Sequence, residues 1–281
     1  MVLGEHSSVQ VSGIPNGPAV PILKFEHVTV RFEGAPALDD VSFELYVGDT
    51  RVVLGAAASG KTVLLKTAIG LIRPESGRVS LFGQDISLLD EEKLLALRRR
   101  VGFLFQDGGL FDSLTVEQNV GYPLRNDFVA KLPQGEVRAR VKEALEFVGL
   151  GQTEDKYPSE LSGGMQRRLG IARVIVTKAP LMLYDSPIAG LDPITAHDIL
   201  SLLIRQRDTL DTTSVVVTYK KGDLLANYSY DRRSGKLVHQ VSRHQRTTFL
   251  VLREGKIVFS GSEAALHSSR DPYVVEFART N

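Results

Sequence analysis

The residues with the clearest chemical use lie within 52–66, in a glycine-bounded loop between an apolar run and an amphipathic helix. Gly55, Gly60, Lys61 and Thr62 fill the pattern G-x-x-x-x-G-K-[ST]. In such a loop, backbone N–H groups and the positive end of the next helix converge on a phosphate. The lysine can reach the outer phosphates, and the threonine hydroxyl can hold Mg²⁺. A chance loop is the alternative; the pattern favours a nucleotide-phosphate site formed by Gly55, Ala56, Ala57, Ala58, Ser59, Gly60, Lys61, Thr62 and Val63.

Other positions along the chain fit the same kind of site. Asp185 ends the apolar run Pro180–Tyr184, and a carboxylate after such a strand holds Mg²⁺ beside a phosphate loop. The turn Ser162–Gly164 opens a predicted helix, which gives a second helix N-terminus suited to an anion. Phe32 follows the first predicted strand, where it either stacks on an adenine or packs as a turn aromatic.

Composition excludes several function classes. Hydrophobic residues make up 43% of the 281 residues and charged residues 24%, as in ordinary soluble domains. Thirty-four Lys+Arg balance 33 Asp+Glu, so the net charge of +1 argues against bulk nucleic-acid binding. Cysteine is absent, which excludes disulfides and thiolate chemistry. No apolar run approaches the roughly 18–20 residues that span a bilayer. We therefore expect a cytoplasmic chain whose membrane role, if any, comes from a partner.

The periodicity indicates which elements position these groups. Residues 1–20, rich in Gly, Ser and Pro, are expected to be a flexible tail rather than a signal peptide, and residues 21–281 one α/β domain. Strands at Ile22–Val30 and Val41–Leu45 predict a small antiparallel sheet beside the phosphate loop. From about 107 to 165, helical spacing predicts an inserted helical subdomain. Later strands are expected at Ser214–Thr218 and in a hairpin over residues 249–259, with a last helix from Asp271-Pro272.

Four motifs in this order resemble the nucleotide-binding domain of ABC transporters. They are the phosphate loop, Gln106 after a core strand, Leu161-Ser162-Gly163-Gly164 before a helix, and the strand that ends in Asp185. The resemblance extends from Ile22 to the C-terminus. It implies an α/β, P-loop NTPase fold with an antiparallel β subdomain and an inserted helical subdomain.

The resemblance also implies a role for each motif. Gly55–Thr62 corresponds to the Walker A loop, Gln106 to the Q-loop and Asp185 to the Walker B acid, and ATP would bind with Mg²⁺ held by Thr62, Gln106 and Asp185. In a dimer with a second ATPase subunit, expected to be a homodimer, the signature of one chain would face ATP on the other chain's Walker A loop. The remaining ATP contacts are implied for the A-loop aromatic, the signature and the D-loop acid: Phe32, Ser162, Gly163, Gly164 and Asp192.

Two longer stretches look like the ATPase subunit of Mla/MCE-type transporters, which move phospholipids or other lipids between membranes. They are residues 104–124, and residues 161–165 together with 190–195. The likeness implies an integral-membrane permease as partner, MCE-type lipid-binding proteins further out, and a peripheral position on the inner face of the cell membrane. A coupling helix of the permease is expected on Leu110 and Phe111 beside Gln106. An ATPase of another ABC import or export branch is the alternative.

Two positions depart from the family pattern in a way that bears on hydrolysis. Ser186 stands where the family has the glutamate that accepts a proton from the attacking water, and Tyr219 stands where it has histidine. A serine hydroxyl orients water but does not take up its proton near neutral pH. Lys220 or Lys221 could supply charge near Tyr219, although a solvated helix start is the favoured interpretation. We expect ATP to bind tightly and to be hydrolysed slowly by Lys61, Gln106, Asp185, Ser186 and Tyr219.

Three hypotheses follow. The chain is an ABC ATPase that powers lipid transport, or a degenerate ATP-binding clamp that regulates or scaffolds an assembly. The third is a non-transport ABC protein acting on nucleic acid or ribosomes, which the single domain and the net charge of +1 disfavour. The stretch 231–248 reads as an insertion, expected to be a solvated hairpin or a partner contact. It contains His239 and His244, but without cysteine or a nearby carboxylate pair metal binding is disfavoured.

Overall fold

The computed structural model describes residues 20–126, 132–210, 212–219, 228–239 and 247–278. The described strands are β1 (Leu23–Arg31), β2 (Pro36–Leu45), β3 (Thr50–Leu54), β4 (Ser76–Leu81), β5 (Gln84–Asp85), β6 (Val101–Leu104), β7 (Leu181–Asp185), β8 (Thr213–Thr218), β9 (Tyr228–Asp231), β10 (Lys236–His239), β11 (Thr247–Arg253) and β12 (Lys256–Gly261). The helices are α1 (Lys61–Ala68), α2 (Glu91–Arg98), α3 (Val116–Arg125), α4 (Gln134–Phe147), α5 (Gly163–Ile175), α6 (Pro193–Leu210), α7 (Glu263–His267) and α8 (Pro272–Ala278), with a 3-10 turn at Pro158–Glu160.

The central sheet carries the phosphate loop at its middle. Its strand order is β12-β11-β3-β8-β7-β6, and all neighbours are parallel except β12, which pairs antiparallel with β11. β7 and β8 are buried at every residue, as apolar strands covered on both faces are. The carboxyl ends of β3, β7 and β8 meet at one edge, where open α/β sheets place their ligands.

The antiparallel sheet β2-β1-β4-β5 flanks this site, as the alternation predicts. β2, however, begins at Pro36 rather than Val41, and Leu38 pairs with Val30 in the buried core. The register between β1 and β2 shifts near Val28, and Asp40 has a positive φ of 55°. This bulge breaks the inside–outside alternation that strand recognition relies on, so the first half of β2 is not visible in the sequence pattern.

The inserted helical subdomain is confirmed as a group of helices packed on one another. α3 begins with a capping box between Thr115 and Gln118, and α3, α4 and α5 bury a shared apolar cluster. Fully or almost fully buried members of that cluster are Val116, Val120, Val141, Leu145 and Leu169. Residues 127–131, between α3 and α4, lie outside the described residues.

The predicted insertion contains a hairpin that starts earlier than expected, at Tyr228, and docks on α6. Arg207 of α6 donates to Tyr228 O at 2.6 Å, and Asp208 accepts from Tyr230 N at 2.7 Å. The polar composition suggests a fully solvated hairpin, but β9 is docked on α6. Its main-chain groups bond to the buried ion pair of Arg207 and Asp208, whose charged atoms are 2.8 Å apart. The side chain of His239, together with His244, Lys220, Lys221 and residues 1–19, lies outside the described part.

None of the described helices combines the length and apolarity that a bilayer crossing requires. Within the same part of the chain, no cluster of three or more His, Asp or Glu side chains is placed to hold a metal ion by itself.

Candidate nucleotide-binding site

The phosphate loop is held by close packing around its two glycines. Gly60 caps α1 with a φ of 104°, and a Cβ built there would lie 2.3 Å from Ala37 O. A Cβ built on Gly55 would lie 2.5 Å from Leu252 O. Both positions therefore exclude any larger residue, because backbone oxygens of neighbouring segments occupy the space. The loop follows the buried end of β3 and opens into α1, the strand–loop–helix order that a phosphate cradle needs.

Lys61 brings a positive charge into the loop. Its side-chain Nζ donates to Gly55 O at 2.8 Å, Ala56 O at 2.6 Å and Ser59 Oγ at 3.2 Å. Burial lowers the pKa of Lys61, and the negative charge of Asp185 opposes that shift. Thr62 follows at the first turn of α1, where it is partly exposed. A lysine beside backbone N–H groups and a helix N-terminus is suited to a polyphosphate.

Asp185 and Ser186 form the acidic side of the site. Asp185 is 3% exposed at the end of β7, paired with Val217 of β8. Ser186 has a φ of 49°, which is uncommon for a residue with a side chain, and its N–H donates to Val217 O at 2.9 Å. Its hydroxyl donates to Asp185 Oδ1 at 3.2 Å. The side chain at the expected glutamate position is therefore directed to the Walker B carboxylate, and it has no group that accepts a proton at neutral pH.

Gln106 lies exposed two residues beyond β6, and its backbone is held by an arginine that sequence reasoning missed. Arg167 of α5 donates to Gln106 O, to Phe105 O at 3.5 Å and to Ala189 O at 3.4 Å. Burial lowers the pKa of Arg167, opposed by the charges of Asp107 and Asp185. One guanidinium thus ties the glutamine loop and the segment after β7 to the helix that carries the signature. No local spacing could have identified it, because its acceptors are main-chain oxygens of distant segments.

The signature and the D-loop acid lie side by side within the chain. Ser162 caps α5 by accepting from Met165 N at 3.3 Å. Asp192 caps α6 by accepting from Ile194 N at 3.1 Å and Thr195 N at 3.0 Å. Hydrogen bonds from Thr195 lower the pKa of Asp192. A Cβ on Gly164 would lie 2.6 Å from Thr195 Cγ2, so the two helix starts are in contact.

The structure brings some predicted residues together and leaves others at the rim. Lys61, Asp185 and Ser186 are buried at the carboxyl edge of the central sheet. Tyr219 comes directly after β8 and is 46% exposed, and Phe32 comes directly after β1 and is 56% exposed. Their contacts with a nucleotide stay predictions, as does the facing of the signature to a second chain.

Comparison with known proteins identifies the family of the chain. A family model described as ABC transporter matches residues 38–189. The chain belongs to the ABC transporter family. Among solved structures, the dimeric MJ0796, titled a bacterial ABC transporter cassette, superposes with a TM-score of 0.72 at 27% identity, covering 85% of this chain and 98% of that chain. The predicted cassette fold, with its antiparallel and helical subdomains, is thereby confirmed.

Relatives of the chain within the ABC transporter family are named for different transported substances. It is 40% identical over 207 residues to the methionine import ATP-binding protein MetN of Bifidobacterium longum, covering 71% of this chain and 51% of the relative. It is 32% identical over 260 residues to the intermembrane phospholipid transport system ATP-binding protein MlaF of Haemophilus influenzae, covering 92% of this chain and 90% of the relative. The chain thus spans about half the length of the MetN relative and most of the MlaF relative.

The donor set fits the ATP and Mg²⁺ that the family binds. A buried lysine lies at the phosphate loop, a threonine hydroxyl follows it, and a buried carboxylate ends the strand two positions along the sheet. Oxygen donors of this kind suit Mg²⁺, which favours carboxylates, hydroxyls and phosphates. Lys61, Thr62, Asp185 and Gln106 are the residues that would hold the nucleotide phosphates and the ion.

Proposed function

We propose that this chain is the ATPase subunit of an ABC transporter that moves lipid, and that it hydrolyses ATP slowly. The single observation that carries the slow rate is the Ser186 hydroxyl bonded to Asp185 Oδ1 at 3.2 Å, in the place of a general base. Nucleotide-binding groups are intact around it, since Lys61 is buried at the loop and Ser162 caps the signature helix. Binding and closure of two subunits on ATP would persist while the chemical step slows.

The chemistry left to this chain is positioning and charge stabilisation. Phosphoryl transfer depends mostly on these two effects, to which bound Mg²⁺ contributes by neutralising charge on the phosphate oxygens. Lys61 supplies a cation, and the loop N–H groups and the α1 N-terminus supply fixed dipoles. Ser186 can orient a water through its hydroxyl but leaves the proton without a strong acceptor. Loss of a general base costs about 10²–10⁴ in rate.

The lipid assignment is supported by the extent of the MlaF match. That alignment runs over 92% of this chain, whereas the alignment to the methionine importer has higher identity but runs over 71%. A lipid transporter would pair this chain with a permease, and MCE-type proteins would accompany it. The permease is proposed to dock on Phe111, which is 37% exposed and packs on Tyr122 with ring centroids 4.4 Å apart. Arg173 steadies the same ring from 4.8 Å.

The decisive experiment measures steady-state and single-turnover ATP hydrolysis by the purified chain with Mg²⁺. The wild type is compared with Ser186→Glu, which supplies the proton acceptor, and with Ser186→Gln, a matched control of the same length without it. We expect slow wild-type turnover, an increase of roughly 10² or more in the Glu variant, and no increase in the Gln variant. Wild-type turnover in the usual enzyme range of about 1–10³ s⁻¹ would refute the slow-hydrolysis proposal.

The transported class is tested on the chain purified with its permease in detergent or nanodiscs. Lipid transport predicts that phospholipid stimulates hydrolysis and that phospholipid copurifies, whereas stimulation by methionine alone would favour the activity named for the MetN relative. A complex in which even Ser186→Glu restores no hydrolysis, while ATP still closes the dimer, would favour the regulatory clamp.

A further inference from the structure

Tyr273 of α8 contacts the phosphate loop from the far end of the chain. Its hydroxyl accepts a hydrogen bond from Ala56 N at 3.1 Å and donates one to Leu252 O at 3.0 Å. Ala56 directly follows the first glycine of the loop, and Leu252 lies in β11, the parallel neighbour of β3. One hydroxyl therefore links the loop, the sheet and the C-terminal helix.

The tyrosine ring is held in position by contacts that do not involve its hydroxyl. Tyr273 N donates to Asp271 Oδ1 at 2.9 Å in the first turn of α8. The ring packs edge-on against Phe277 with centroids 5.1 Å apart, and the Arg253 guanidinium lies 5.4 Å from its centroid. Phe277 is itself buried at 6% exposure. Because the ring is packed against its neighbours, the position of its hydroxyl is also restricted.

The loop also contacts β11 and the turn that follows it at two more points. The Leu252 oxygen that accepts from Tyr273 lies 2.5 Å from where a Cβ of Gly55 would be, and Gly255 N donates to Ser59 O at 3.2 Å. Ser59 N in turn donates to Ala56 O at 3.3 Å. The backbone groups of Ala56 are therefore held at both ends, the N–H by Tyr273 and the carbonyl oxygen by Ser59 N and Lys61 Nζ.

We propose that Tyr273 is a positioning residue for nucleotide binding, acting through the Ala56 N–H to hold the phosphate loop in its binding shape. The contact uses the backbone N–H at position 56, so every residue type except proline could make it there. Without the hydroxyl, the Ala56 N–H must find another acceptor, and the loop spends less time in the conformation that receives phosphates. The affinity for ATP then falls in proportion to the fraction of molecules whose loop has the binding-competent conformation.

The test measures the Kd of the full chain for ATP with Mg²⁺ by titration calorimetry, together with the melting temperature without nucleotide. Tyr273→Phe keeps the ring and removes only the hydroxyl. The matched control is Tyr46→Phe, which removes a hydroxyl that donates to Glu44 Oε2 at 2.5 Å before β3, at the end of that strand opposite the loop. We expect the Kd of Tyr273→Phe to rise about three- to tenfold, as for one neutral hydrogen bond, and that of Tyr46→Phe to stay unchanged.

A purely structural role would lower the melting temperature of Tyr273→Phe while leaving its Kd equal to that of Tyr46→Phe, and that result would overturn the proposal. Nucleotide-induced stabilisation gives a second readout: the rise in melting temperature at a fixed ATP concentration should be smaller for Tyr273→Phe than for the control. Equal rises in the two variants would also overturn it. Repeating both measurements with a non-hydrolysable ATP analogue removes any contribution from hydrolysis, so the result is separate from the role assigned to Ser186.

Discussion

The buried amide of Asn119 connects α3 to the loop that carries Phe111, and its removal is expected to cost a measurable part of the free energy of unfolding. Asn119 has no exposed surface. Its Oδ1 accepts from Phe111 N at 2.9 Å, and its Nδ2 donates to the carbonyl oxygens of Phe111 at 3.0 Å, Leu114 at 2.9 Å and Thr115 at 3.1 Å. Asn119→Ala deletes all four bonds at once without changing the helix propensity unfavourably.

The size of the destabilisation depends on which hydrogen-bonding groups keep another partner once the Asn119 side chain is removed. Phe111 O still accepts from Leu114 N at 3.1 Å, and Thr115 O still accepts from the Asn119 backbone N at 2.8 Å. Among the described contacts, Phe111 N and Leu114 O rely on the Asn119 side chain. A buried polar group left unpaired costs about 1–3 kcal/mol, so two groups give roughly 2–6 kcal/mol. The lower half of that range is expected, because the bond from Phe111 N to Asn119 is only partly buried.

Urea unfolding of the purified chain measures this loss as a fall in midpoint at constant slope. The matched control is Asn126→Ala at the other end of α3, where an exposed amide donates to Tyr122 O at 3.0 Å. Its loss should stay below about 1 kcal/mol, since water replaces the bond. If Asn119→Ala destabilised the chain no more than Asn126→Ala, the accounting by unpaired groups would be refuted.

Three further predictions follow from single contacts. Phe111→Asp should detach the permease in a pull-down while the Kd for ATP stays at the wild-type value; loss of both together would contradict the proposed docking position. Gly102→Ala should destabilise by about 1–3 kcal/mol in urea unfolding, because its Cβ would lie 2.5 Å from Met182 Sδ, and an unchanged midpoint would show that the sheet absorbs the methyl group. Asp192 has a lowered pKa, so its ionised form stabilises the fold above its unfolded-state pKa of about 3.9, and this contribution disappears as the pH falls through the lower folded-state value. Asp192→Asn should therefore lose less melting temperature than the wild type between about pH 5 and pH 3, and parallel curves would contradict the shift.

Local chemistry made much of the cassette predictable from the sequence. The phosphate loop is readable because glycine spacing, a lysine and a helix start occur within eight residues, and the structure places a left-handed cap at Gly60. The acid that ends β7 is equally local, because it follows directly on an apolar run. The caps at Ser162 and Asp192 depend on residues within three positions. Their agreement in order was enough to indicate the family.

The missed features depend on contacts between distant parts of the chain. Tyr273 meets Ala56 across 217 positions, and Arg167 meets Gln106 across 61. Both pairs join a side-chain donor or acceptor to a main-chain group, so neither leaves a residue-type signature at both ends. The early start of β2 was missed for a different reason, because the bulge near Asp40 interrupts the alternation that marks a strand.

The position of β3 between β8 and β11 has a consequence for how the chain is made. β3 is almost entirely buried, yet both of its hydrogen-bonding neighbours are encoded more than 150 positions later, Thr50 pairing with Ser214 and with Thr247. At about 5–20 residues per second, a ribosome takes roughly 10 to 30 seconds to supply the first of these neighbours. During that interval the apolar segment that forms β3 lacks both of the strands with which it pairs, and an unpaired apolar segment of this kind is an aggregation hazard. Synthesis of this protein is therefore expected to depend on chaperones that cover the strand until residue 250 has emerged.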